Sequence, residues 1–199
     1  MYTTVPDNVY LDSWFAQPAV LKECELFIHH GGNNSFCEAL YFGLPSLIIP
    51  YCWDGHDNAA RAEEEQRLAA LEGTETAIGT SSGMSAILLM CMALLKAGDH
   101  VICSQSMFGS TMNLIGKEFA RFGVQSSFVS QTDAAAWQAA LRPETRLMFA
   151  ETPTNPLTDL CDIRALADIA HGAGVLLAVD NCFASPALQQ PARWGADLV

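Results

Sequence analysis

Basic side chains are scarce in this 199-residue sequence: 10 Lys and Arg stand against 22 Asp and Glu, a formal net charge of -12. A field of that sign repels phosphate backbones and anionic lipid surfaces, which argues against a nucleic acid or a membrane as partner. Lysine is scarcer still, present only as Lys22, Lys96 and Lys117. The seven cysteines contain no C-x-x-C pair, and their odd number within apolar stretches reads as reduced core thiols, not as a disulfide framework or redox site. No base precedes Lys22 and no apolar h-region follows the start, so no signal or transit peptide is expected and a cytoplasmic location is. The longest apolar run, 84–95, falls well short of the ~20 residues a membrane span needs and reads as a buried helix. Repeats, linkers, low-complexity tracts and a charged tail are all missing.

What remains is a globular composition, 50% hydrophobic and 16% charged. Short apolar runs alternate with helical patterns throughout. Strands are expected at 9–11, 26–29, 46–50, 76–78, 100–104, 126–130, 146–151 and 175–180, and helices at 34–42, 58–72, 84–96, 110–122, 133–141 and 162–171. Gly73, Gly98 and Gly123 stand where helices should stop. This alternation predicts an α/β fold with a mostly parallel, doubly wound sheet and helices on both faces. Ligands of such sheets gather at the carboxyl ends of the strands.

Two such strand ends carry unusual residues. The first runs from Phe27-Ile28-His29 through His30-Gly31-Gly32 into a helix opened by Asn33-Asn34-Ser35. Paired glycines let an anion approach the unpaired amides of a helix start, although a glycine turn with a helix cap would look similar. Glu38, one turn later, could accept two ribose hydroxyls, and Trp14 could stack on a flat base. His30-Gly31-Gly32-Asn33-Asn34-Ser35, Glu38, Gly43-Leu44-Pro45, Pro50, Asp54 and Asn58-Ala59 together resemble the donor-binding signature of UDP-sugar glycosyltransferases of the two-domain GT-B type. The resemblance implies that His30, Asn34 and Ser35 hold a diphosphate, Glu38 a ribose, Trp14 and Gln17 a uridine, and Asp54 the sugar hydroxyls. Gly55 and Ala16 depart from that family's usual Gln and Pro. Only eight residues precede the matching segment, so the acceptor domain with its catalytic His is not expected, and a UDP-sugar would be held without being used.

The second strand end is Gly79-Thr80-Ser81-Ser82-Gly83-Met84, either a Ser N-cap or an anion cradle at a helix start. Phe108, Asn155 and Asp180 follow other strands of the same pattern. An anion site, an aromatic face, an amide and a carboxylate are the parts that a pyridoxal phosphate site requires. Residues 67–73, Ser82-Gly83-Met84, 97–100, Glu151-Thr152-Pro153-Thr154-Asn155-Pro156, Asp180-Asn181-Cys182-Phe183, 185–187 and Gly195-Ala196-Asp197-Leu198-Val199 resemble the cysteine and methionine metabolism family of fold-type I pyridoxal-phosphate enzymes. Phe108-Gly109 points within it to the O-succinylhomoserine sulfhydrylase branch, which exchanges the γ-substituent of an activated homoserine for sulfide or a thiol. The resemblance implies that the amides of Gly83 and Met84 hold the phosphate, Phe108 stacks on the ring, Asn155 meets the phenolic oxygen and Asp180 the ring nitrogen. In that family a Ser-x-x-Lys stretch follows the Gly-Ala-Asp-Leu-Val segment and its lysine forms the Schiff base. The sequence ends at Val199, so no catalytic residue is expected and pyridoxal 5'-phosphate would bind noncovalently.

The two resemblances meet inside one helical pattern, 58–72, and imply a chimera: 1–62 is a glycosyltransferase-like nucleotide-sugar segment and 63–199 a fragment like the large domain of a pyridoxal-phosphate transferase, fused in one α/β domain whose first segment adds strands beside the larger sheet. Three readings follow: a pyridoxal-phosphate γ-replacement fragment without turnover, a UDP-sugar-binding remnant, or a noncatalytic recombined fold. No metal site is expected. A small molecule is the expected partner, together with self-association.

Overall fold

The computed structural model describes residues 9–10, 14–49 and 55–199. The chain divides into two compact units, Met1–Glu64 and Glu65–Val199.

In the first unit, helix α1 (Gln17–Leu21) precedes a small βαβ unit made of strand β1 (Phe27–His29), helix α2 (Asn33–Tyr41) and strand β2 (Ser46–Ile48). The strands run parallel, with Phe27 opposite Ser46 and His29 opposite Ile48. Phe36 and Ala39 are the buried residues of α2. Its end is closed by Gly43 at φ +63°, a left-handed position that glycine takes without a Cβ penalty, with the Leu44 N–H returning to the Ala39 carbonyl at 3.0 Å. Helix α3 (Gly55–Glu72) then carries the chain across the boundary between the units.

The second unit contains helix α4 (Gly83–Leu94), strand β3 (His100–Ser104), helix α5 (Gly109–Asn113), strand β4 (Gln125–Val129), helix α6 (Ala134–Ala139), strand β5 (Thr145–Glu151), helix α7 (Ile163–Gly172), strand β6 (Leu176–Asp180) and helix α8 (Ser185–Leu188). The strands form one all-parallel sheet in the order β4-β3-β5-β6. Leu198 bridges Ala178 on the outer side of β6. Successive strand residues point to opposite faces, and both faces are packed. Val101, Cys103, Leu147, Phe149 and Ala178 join one core cluster with Ile87 and Cys91 of α4. Ile102, Met148, Ala150, Leu177 and Val179 join the other with Trp137 of α6 and Leu166 of α7. This is the two-sided burial that makes parallel strands read as continuous apolar runs. The doubly wound, mostly parallel α/β architecture is therefore the observed one.

Helix α7 shows how local sequence builds the layer. Ile163, Leu166, Ala167 and Ala170 are its buried residues, the i, i+3, i+4, i+7 stripe of an amphipathic helix, and the Asp162 carboxylate caps its start by accepting the Ala165 N–H at 3.0 Å.

Several expectations need correction. Residues 76–78 form no strand: Ile78 is largely exposed, and the neighbouring Gly79 N–H goes to the Glu65 carboxylate at 2.7 Å instead of a sheet ladder. Val9 and Tyr10 carry no strand, and Leu11 and Pro50 lie outside the described residues. The helix expected at 110–122 changes pitch, from α5 to a π turn at Leu114–Glu118 and a 3-10 turn at Phe119–Phe122. Gly116, within the π turn, sits where a Cβ would come within 3.1 Å of the Phe128 ring of β4. β1 and β2 make their own two-stranded sheet and do not extend the larger one. The apolar run of α4 is buried on only one face, by Ile87, Cys91 and Leu95, while Leu89 and Met92 are exposed.

The thiols are also less uniformly buried than expected. All described cysteines are free, but only Cys91 and Cys103 are core residues; Cys37 and Cys182 are exposed, and Cys52 lies outside the described residues. Burial pushes Cys91 up to about 11 and Cys103 well above its ordinary value, so both are neutral, inert thiols.

Candidate functional site

In the second unit a cleft of about 220 Å³ opens at the carboxyl ends of the strands, below the ~300–1,000 Å³ of most ligand pockets and suited to a compact ligand. It is lined by Gly83, Met84, Phe108, Asn155 and Asp180, the five residues expected to surround pyridoxal phosphate, and also by Glu151 and Cys182. These residues come from the start of α4, the loop after β3, the loop after β5 and the end of β6. Parallel strands bring Phe108, Glu151, Asn155, Asp180 and Cys182 to one rim, and the start of α4 meets them there.

Each wall has a local cause. At the start of α4 the Ser82 side chain accepts the Ser85 N–H at 3.2 Å and the Ser82 carbonyl accepts the Ala86 N–H at 3.0 Å. The amides of Gly83 and Met84 are thus those of the first turn that the cap leaves over. Ser82 is thus the N-cap that the sequence allowed. A Cβ built on Gly83 meets no atom within 4 Å, so the helix start opens onto space that an anion could fill. The Phe108 ring is about half exposed and faces the cleft. The Asp180 Oδ1 accepts the Cys182 N–H at 3.0 Å.

Glu151 was not singled out from the sequence. It is 5% exposed, lies opposite Asp180 in the β5–β6 register, and accepts the N–H of Phe108 at one oxygen and that of Asn155 at the other, both at 2.7 Å. Burial pushes its carboxyl above the ordinary range, the two hydrogen bonds oppose this, and nearby Asp180 adds to the rise. The available signal was an acid closing an otherwise apolar strand: a carboxylate there needs dedicated donors.

The residues present fit a pyridoxal phosphate. They supply free helix-start amides for a phosphate, an aromatic face, an amide and a carboxylate able to pair with a pyridinium. Lys96 and Lys117, the lysines of this unit, do not line the cleft.

In the first unit the structure brings part of the expected UDP-sugar site together. The Gln17 amide donates to Glu38 Oε2 at 2.7 Å and to Ser35 Oγ at 3.2 Å. His30 is exposed, and its imidazole lies so close over Gly32 at the start of α2 that a Cβ there would meet Nε2 at 2.5 Å. Trp14 and Asn34 are exposed, and Asp54 lies outside the described residues. The Asn58 side chain holds the glycine turn, donating to the Gly31 carbonyl at 2.7 Å and to Asn33 Oδ1 at 3.0 Å. Among the described residues no group of three or more His, Cys, Asp and Glu could hold a metal ion, and no helix is long and apolar enough to cross a membrane.

Comparison with known proteins decides the family. The family model described as Cys/Met metabolism PLP-dependent enzyme matches residues 49–199. The chain belongs to this family. Pyridoxal phosphate is the cofactor of the PLP-dependent Cys/Met metabolism enzymes. The chain is 58% identical over 135 residues to an O-succinylhomoserine sulfhydrylase of Pseudomonas aeruginosa, covering 68% of this chain and 34% of that protein. It is 46% identical over 142 residues to a cystathionine gamma-synthase of Mycobacterium bovis, covering 71% and 37%. The crystal structure of metB from Corynebacterium glutamicum matches with a TM-score of 0.65 and 41% identity, over 66% of this chain and 34% of that one. The chain thus spans about a third of the length of these relatives. A second family model, UDP-glucoronosyl and UDP-glucosyl transferase, matches residues 3–91 and overlaps the first between 49 and 91. Both resemblances seen in the sequence are found.

Proposed function

We propose that the second unit is the cofactor-cradling part of a homoserine-ester γ-replacement enzyme, fused to a glycosyltransferase-like segment, and that it binds pyridoxal phosphate noncovalently without turnover. The observation that carries this reading is the meeting of Gly83, Met84, Phe108, Asn155 and Asp180 at one cleft. Gly83 and Met84 offer the phosphate two main-chain donors at a positive helix end. Phe108 presents a ring face for stacking, and the Asn155 side chain a donor to a phenolate. Asp180 offers a carboxylate that would pair with a pyridinium nitrogen and raise that nitrogen's proton affinity. The bound cofactor would supply an electron sink for carbanion chemistry. No residue lining the cleft offers an amine to tether it. A soluble cytoplasmic location and self-association belong to the same proposal.

Titration with pyridoxal phosphate, followed in the visible spectrum before and after borohydride, tests it. The expected result is a saturable, dialysable complex that leaves no pyridoxyl group on the protein. No complex, or a borohydride-fixed pyridoxyl lysine, would overturn the reading. The Gln17–Ser35–Glu38 cluster favours a second reading, a UDP-sugar site in the first unit. UDP should then raise the unfolding midpoint by mass action, and an unchanged midpoint at high UDP counts against it.

A further inference from the structure

Glu151 is a buried carboxylate in the cleft to which neither resemblance assigns a task. Its side chain spans two loops that are far apart in sequence: Phe108, 43 residues upstream, follows β3, and Asn155 follows β5 four residues on. Each oxygen receives one backbone N–H at 2.7 Å. Bonds of that length to an ionised acceptor are the strong kind. Among the described residues, no other side chain is hydrogen-bonded to either of these two amides. The loops bear the aromatic face and the amide that line the cleft beside Asp180.

We propose that Glu151 is a positioning residue, a bracket whose carboxylate holds the main chain at Phe108 and at Asn155 so that their side chains form one wall of the cleft. Its effect on the cofactor rests on the function proposed above; the bracket itself does not. A glutamine in its place keeps one acceptor oxygen but turns an NH2 group toward the second N–H, so it cannot hold both loops. An aspartate keeps the charge but is one methylene too short to reach both.

The test is amide NMR on the full chain, wild type and Glu151→Gln, over about pH 4 to 8, a range that covers a carboxyl raised above its usual value. In the wild type the Phe108 and Asn155 amide protons should move together with one shared midpoint above the ordinary carboxylate range. In Glu151→Gln both movements should vanish and at least one of the two amides should exchange with solvent roughly tenfold faster or more, while Ile102 and Met148 keep their protection. Separate midpoints in the wild type, or movement and protection that survive the substitution, would overturn the bracket. If the glutamine variant fails to fold, the shared or separate midpoints of the wild type decide alone. In a parallel titration, pyridoxal phosphate affinity should fall about tenfold in Glu151→Gln, the loss expected when one charge-assisted contact no longer shapes the site. A wild type that binds no pyridoxal phosphate sinks the proposed function, while the amide titration still decides the bracket.

Discussion

His100 shows how one buried side chain writes a pH dependence into the fold. It is fully buried, with ring nitrogens 2.8 Å from Thr145 Oγ1 and 2.9 Å from Ser127 Oγ. Burial, and then the Arg142 guanidinium, lower its proton affinity, while Glu144 opposes them. The unfolded chain therefore takes the proton first as pH falls. The contribution of His100 is full above the unfolded value near 6.5 and declines below it, until the folded form titrates too. Urea midpoints measured between about pH 7.5 and 5.5, a window across that ordinary histidine value, should fall more steeply for wild type than for His100→Gln; parallel slopes would refute this. Glu151 works with the opposite sign. Its raised carboxyl favours the folded state most below the unfolded value, and the benefit is lost as pH rises through the folded one. The meeting of Phe108, Asn155 and Asp180 at one cleft was legible because each stands at or beyond the end of an apolar strand. Glu151 was legible only as an acid closing an apolar strand, because its partners are main-chain amides that no side-chain pattern announces.

At the scale of elements, caps and glycines make the sharpest predictions. Replacing Asp162 by Ala removes the acceptor for the Ala165 N–H and should cost about 1 kcal/mol in denaturant-derived stability. Gly195 stands at φ +101°, and a Cβ there would lie 2.8 Å from the Ala167 Cβ on α7. Gly195→Ala combines a left-handed backbone with a backbone-anchored clash and should destabilise by roughly 1–3 kcal/mol, visible as a lowered thermal midpoint. A midpoint within error of wild type would contradict that account. The strands of the larger sheet could be read from their apolar runs because both faces are covered. The 76–78 run misled because apolar character alone forms no strand without a neighbour to pair with. The pitch change after α5 was invisible because no residue pattern marks it; in the fold it coincides with the close approach of Gly116 to Phe128.

For the whole molecule the charge imbalance matters most. A net charge of -12 repels itself in the folded state, so raising salt from about 0.01 M to 0.15 M, which shortens the Debye length from ~30 to ~8 Å, should raise the thermal midpoint. A midpoint that falls would show that attractive pairs dominate instead. All four strands of the larger sheet run the same way, and this sorts the second unit into two rims. The rim at the strand ends carries Phe108, Glu151, Asn155 and Asp180; the opposite rim carries His100 with Thr145. Loops on the first can be exchanged without disturbing the polar lock on the second. Variation in those outer loops is thus little felt by the fold, except at Glu151, whose buried carboxyl ties the site-bearing rim back to stability.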